Sequence, residues 1–361
     1  MNKKILSVVI GSCLAIVGCG GGDESNSSNS KSNNSSFTGG WGLPDGATFN
    51  DVKPLLDDVD PVILKADANN GDGGYVRRST NFSSNCDGNT AYWSNHFELG
   101  VGGDSVKVEN VQNIAAMLEV SLKHIASELD MLPEDLIRNA YGSNTADGRK
   151  RLGFCILPGK GSVGGGHGNE IVSYELHTHG VEYQYSIIKH ELAHIVDSQL
   201  KSNEYGYNLG PFAWFIEGFA EHVSGSGYYN VSDWQKKHEE LSPNTNIVKN
   251  DGALNGGYEA YTLYATMTYY LREQGLGDQA FLNFIKKDRW HDQGQMVITC
   301  NPHDLPSYGE TTGACDIPQG ADEVWIKHFE DAIAEGGGEL TSYADFEENY
   351  YEYVTNWLSS K

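Results

Sequence analysis

The sequence predicts an α+β fold, with a small mixed sheet and a central helix in the first half and a mainly helical second half. Three observations carry this. Residues 151–157 and 170–176 are short apolar runs of strand length, separated by a glycine-rich stretch. Residues 185–200, 212–223 and 258–274 have helical character, and further stretches of that kind run to the C-terminus. The order is helix, strand, strand, and then mostly helices.

The first residues are an address. Lys3 and Lys4 precede an apolar run, Ile5 to Val17, which has the length of a signal-peptide core and is too short to span a bilayer comfortably. It ends in Ile16-Val17-Gly18-Cys19, which resembles a bacterial lipoprotein cleavage box. The resemblance implies a signal peptide at 1–18 and a lipid on Cys19; an ordinary signal peptide with an incidental Cys19 is the alternative. The residue after Cys19 is not Asp, which by the same resemblance favours the outer membrane of a Gram-negative cell. The expected location is the cell envelope, through that lipid, or the medium after release. Residues 19–40 are almost all Gly, Ser and Asn and cannot bury enough apolar surface to fold, so a flexible tether is expected. Residues 41–85 form a variable lead-in, with short helices expected in Asp51 to Leu64. The run Asp67 to Gly73 is rich in Asn, Asp and Gly. It lacks the full EF-hand spacing and a Glu twelve residues along, so a plain turn is favoured over a Ca²⁺ loop.

Of six cysteines, Cys13 leaves with the signal peptide and Cys19 carries lipid, which leaves Cys86, Cys155, Cys300 and Cys315 in an oxidising compartment. Three pairings are possible. Cys300–Cys315 is favoured because it closes a short loop, and Cys86–Cys155 goes with it; free buried thiols are the alternative. No C-x-x-C spacing supports a zinc site built from them.

Beyond the tether roughly 320 residues remain, enough for one large domain or two modest ones. A formal charge of −24 disfavours nucleic acid as a partner, because a phosphate backbone needs a basic surface. No repeat and no second membrane-length apolar segment is visible. A monomer is expected, with a division at residues 86–200 and 201–361.

Val111 to Leu129 carries Val111, Ile114, Leu118, Leu122, Ile125 and Leu129 on one helical face. Arg151–Leu157 and Glu170–Leu176 follow as strands, with Gly159–Gly168 between them as a loop that matches no phosphate-binding pattern. Helices are expected at Tyr185–Leu200, at Phe212–Val223 behind Pro211, and at Tyr258–Gln274 before Gly275. Ala280–Lys287, Asp322–Glu335 and Tyr343–Leu358 continue the helical series.

The chemistry lies in His190-Glu191-Leu192-Ala193-His194. Residues four apart share a helix face, so both imidazoles can hold one metal ion, and Glu191 sits beside them within reach of a water. Alone, this pattern also fits two exposed histidines with a nearby acid. Glu217 follows 23 residues after His194, in Trp214-Phe-Ile-Glu217-Gly218-Phe-Ala220-Glu221, with Glu221 one turn on. Glu217 completes a His/His/Glu set with the fourth position open, the pattern of a catalytic zinc site. Glu221 can take the free ring N–H of a ligand histidine. Carboxylates this close in an apolar helix would be costly without a cation.

The pair H-E-L-A-H and W-x-x-E-G-x-A-E resembles the gluzincin metallopeptidases, and within them the catalytic domains of bacterial collagenases. The resemblance covers about residues 85–290. It implies a zincin-like fold for 86–361, one catalytic Zn²⁺ on His190, His194 and Glu217, Glu191 as general base, and peptide-bond hydrolysis of extracellular proteins. The collagen-binding modules of that family have no counterpart here, so collagen is not assigned. Relatives stabilise the oxyanion with a Tyr or His from the later helical half. Tyr261 is the candidate, with Tyr258 and Tyr264 as competitors and a core or rim role as the alternative for each. The aminopeptidase branch of the same clan shares E-G-F-A and uses G-x-M-E-N; the nearest stretch, Gly166-His-Gly-Asn169-Glu170, has the wrong order and no Met, and aminopeptidase activity stands as an alternative. The strand Glu170–Leu176 is expected to take a peptide along its edge, and His177 and His179 after it are cleft or surface residues. A silent binding lipoprotein and a structural zinc protein are the competing classes. The kept base argues against the first. The count of three ligands, where structural sites use four, argues against the second.

Overall fold

The computed structural model describes residues 64–66, 91–102, 106–137, 149–158, 165–167, 170–201, 212–225, 227–243, 245–249, 258–286 and 321–361. The signal peptide, Cys19, the tether, the Asp51–Leu64 helices apart from Leu64, the Asp67–Gly73 turn, and Cys86, Cys300 and Cys315 lie outside them. Cys155 is disulfide-bonded. Among the described residues no helix is long and apolar enough to cross a membrane.

The architecture is α+β. Among the described residues six strands, β1 (Leu64–Ala66), β2 (Ala91–Trp93), β3 (Phe97–Val101), β4 (Leu152–Leu157), β5 (Gly165–His167) and β6 (Glu170–Tyr174), form one mixed sheet. Their order is β1-β2-β3-β4-β6-β5. β4 pairs in parallel with β3 and β6, and the remaining pairs are antiparallel. The side-chain period of two sends Leu152, Phe154 and Ile156 of β4 into the main core, together with Phe97, Leu99, Val101 and Ile171. Cys155 and Leu157 form a separate cluster with Val172 and Tyr174.

The expectations for residues 159–176 need correction here. The glycine-rich stretch is not all loop, because Gly165–His167 folds back on β6 as a strand. The strand at Glu170 is consequently not an edge: β6 lies between β4 and β5, and β5 is the terminal strand on that side. The strand also stops at Tyr174. Glu175 takes a left-handed conformation at φ 52°, and Leu176–Thr178 form a 3₁₀ turn. Strands β1 and β2 have three residues each, too few for an alternation to register, and β3, buried at all five positions, shows no alternation either.

Helix α1 (Val108–Glu128) buries the expected apolar face and lies against β3. It ends where Asp130 turns left-handed at φ 51° and the Met131 N–H reaches back to the Ala126 carbonyl at 2.9 Å. Its buried Glu119 accepts from Ser94 Oγ at 2.5 Å and His96 N at 2.8 Å, and lies 2.7 Å from His96 Nδ1. That ties α1 to the turn between β2 and β3. A short α2 (Pro133–Leu136) follows. Helix α3 (Val181–Lys201) packs on α1 and on β5 and β6.

The helical half comprises α4 (Ala213–Ser224), α5 (Val231–Leu241), α6 (Tyr258–Tyr270), a π-turn (Leu271–Gly275), α7 (Asp278–Lys286), α8 (Ala321–Glu335) and α9 (Tyr343–Ser359). Helix α5 carries only a sparse apolar stripe, Val231, Trp234 and Leu241, among polar and charged residues, and was not among the helices expected from the sequence. Its one buried residue is Trp234, and the Asn230 side chain caps it by accepting from Ser232 N at 3.0 Å and Asp233 N at 2.9 Å. The first turn of α4 is anchored by aromatics: Trp325 stands 6.1 Å from Trp214 and 5.2 Å from Phe215, centroid to centroid. One apolar core runs from the sheet to Trp357 and Leu358 in α9.

Histidine burial makes this core acid-sensitive. His124 on α1 is buried, with Nδ1 2.8 Å from the Tyr185 hydroxyl. Burial, aided by the charges of Lys189 and Lys123, pushes it down to about 3. The unfolded chain accepts a proton near pH 6.5 that the folded chain refuses. The contribution of His124 is therefore complete above about pH 6.5 and declines as pH falls toward 3, by about 1.4 kcal/mol per unit. Urea unfolding at pH 7 and pH 5.5 is expected to show this loss in the wild type and a smaller one in His124→Gln. Equal losses in the two proteins would remove His124 from the account.

Candidate metal centre

Helix α3 buries Ile188, Leu192, Ile195 and Val196 and turns His190 and His194 to one side. The two Nε2 atoms face each other at 3.1 Å, with ring planes at 86°. Helix α4 brings Glu217 Oε2 to 3.3 Å from His190 Nε2 and 3.5 Å from His194 Nε2. Among the described residues this is the one group of three or more His, Cys, Asp or Glu whose ligand atoms converge closely enough to hold a metal ion. Glu221, one turn beyond Glu217, places Oε1 3.0 Å from His190 Nδ1. Its carboxylate thus fixes the ring so that Nε2 points at the shared focus.

Glycine explains how α4 comes so close to its neighbour. A Cβ on Gly218 would stand 2.5 Å from Thr268 Oγ1 and 2.6 Å from the Tyr264 carbonyl oxygen, so only glycine lets α6 lie this near. The approach also sets the tyrosines. Tyr261 faces the site, with its ring centroid 6.0 Å from that of His190. Tyr264 is buried in the core, and the side chain of Tyr258 lies outside the described residues. His177 and His179 lie in the 3₁₀ turn and its cap ahead of α3; Leu176 of that turn is buried.

The electrostatics match the geometry. Burial disfavours a charge on His190, but hydrogen bonds to Glu217 and Glu221 and the charges of Glu221 and Glu191 outweigh it, so its pKa stands well above the ordinary value. Burial would raise Glu217, yet the charge of His194 and the contacts to both rings hold its carboxyl well below the usual range. Two imidazole nitrogens and a carboxylate oxygen directed at one point could hold a metal ion, and one of N/O preference fits this donor set. Glu191 is 1% exposed, and its Oε2 is buried without a hydrogen-bond partner. It stands beside the ligand set and outside it.

Sequence reasoning missed the layer behind the ligands. Lys189 is fully buried, its ammonium 5.5 Å from the Tyr185 ring centroid, and burial pushes it down to about 7 against the opposing charge of Glu128. Behind α4, Arg272 reaches His222, Glu128 and Asp278. Those partners are 50, 144 and 6 residues away, and no local pattern announces such pairs. No protein-family model matches the chain, and no curated protein matches it.

Proposed function

We propose that this chain is a zinc-dependent endopeptidase acting on extracellular proteins, held at the bacterial cell envelope by a lipid on Cys19. What supports the reading most is a single juxtaposition. Glu191 keeps a buried, unpartnered carboxylate oxygen beside three ligand atoms that converge on one point. A structural site would not need that base.

His190, His194 and Glu217 hold the zinc, and Glu221 orients His190. Bound zinc supplies an acidified water and polarises the scissile carbonyl. Glu191 takes the proton from the attacking water and passes it to the leaving amine, so the carboxylate ends the cycle as it began. The Tyr261 hydroxyl donates to the developing oxyanion. Substrate backbone pairs with β5, the terminal strand beside α3, so the register of the peptide is set by main-chain hydrogen bonds.

Incubation with casein and gelatin tests this. Cleavage is expected, abolished by a chelator and restored by added zinc. Zinc-independent cleavage, or none of either protein by a zinc-loaded sample, would overturn the endopeptidase reading.

A further inference from the structure

Arg272 lies in the π-turn Leu271–Gly275, where the helix carries an extra residue in its turn. It is 7% exposed and makes three polar contacts at once. Nε donates to Asp278 Oδ1 of α7 at 2.7 Å, and Nη1 donates to Glu128 Oε2 of α1 at 2.9 Å. Nη1 also lies 3.0 Å from His222 Nε2 in the last turn of α4. Burial and the charges of Arg272 and Lys189 hold His222 well below its ordinary pKa, so the ring is neutral and Nε2 accepts. The His222 ring is further fixed edge-on against Tyr269, at 4.3 Å and 81°.

His222 is the peptide neighbour of Glu221, and the Glu221 carboxylate lies 3.0 Å from His190 Nδ1. We propose that Arg272 is a positioning residue of the metal centre: by clamping His222 to α1 and α7 it fixes the rotation of the last turn of α4, and through Glu221 the aim of the His190 ring. This rests on the metal reading of His190, His194 and Glu217. Only a planar guanidinium reaches three partners in fixed directions; a lysine keeps the charge and loses the fork.

Zinc affinity, measured on the full chain by competition with a chromophoric chelator, tests the role without depending on turnover. Glu221→Gln is expected to weaken zinc binding by about 10–100-fold, the usual cost of removing a carboxylate behind a ligand histidine. Arg272→Lys is expected to weaken it by about tenfold, at the lower end of that range. The double variant is expected to be no weaker than Glu221→Gln alone, because both changes act on one link. Thermal melting of the zinc-free proteins runs beside it. His222→Phe, which leaves the Glu128 and Asp278 pairs in place, serves as the second variant and is expected to repeat the loss and the non-additivity. Three outcomes overturn the role: Arg272→Lys and His222→Phe binding zinc within twofold of wild type, whatever their melting temperatures; losses that multiply with Glu221→Gln; or a wild type that takes up no zinc. The last also removes the metal reading, and the first two leave it standing.

Discussion

Glu191→Gln is expected to lower the rate of peptide hydrolysis by about 10²–10⁴-fold while zinc stays bound. The substitution keeps the shape and volume of the side chain and removes its capacity to carry a proton. Because Glu191 is buried beside the ligand set and outside it, the three ligand atoms remain in place. The measurement is kcat/KM on a quenched peptide together with metal content of the same sample. Full activity with zinc bound would take the general base away from Glu191. Loss of zinc along with activity would make Glu191 a ligand or a structural group instead.

Glu217→Ala should be more disruptive to the metal. It removes one of three protein ligands, and the expected loss of zinc affinity exceeds the about 10–100-fold typical of a carboxylate one layer further out. It also takes a counter-charge from His190, whose pKa is raised partly by that contact. Activity at limiting zinc should fall with metal occupancy, and excess zinc should recover only part of it. Equilibrium dialysis against buffered zinc measures this. Affinity unchanged from wild type would show that the metal, if bound, sits elsewhere.

The candidate metal centre was legible in the sequence because most of its geometry is local. His190 and His194 share a face through helical period alone, as do Glu217 and Glu221 on the next helix; only the packing of α4 on α3, which brings Glu217 to both rings and Glu221 to His190, is non-local. The apolar helices around them were also legible, from Val111–Leu129 to Tyr343–Leu358, with ends shifted by a few residues at caps and at the π-turn. What the chain hid is non-local. Strands β1, β2 and β5 have three residues each and exist through their pairing partners. The change of edge from β6 to β5 followed from that. The role of Gly218 depends on how closely α6 packs, and that of Arg272 on partners from three other helices. Tyr261 and Tyr264 could not be separated by spacing; the phase of α6 against α3 and α4 turns one toward His190 and buries the other.

The most direct test of the central claim is zinc X-ray absorption on the purified protein, with metal content measured beside it. The expected result is about one zinc per chain in a shell of two imidazole nitrogens and carboxylate and water oxygens at about 2.0–2.2 Å, lost in Glu217→Ala. A chain without zinc, or a shell containing sulfur at about 2.3 Å, would contradict a site made of His190, His194 and Glu217.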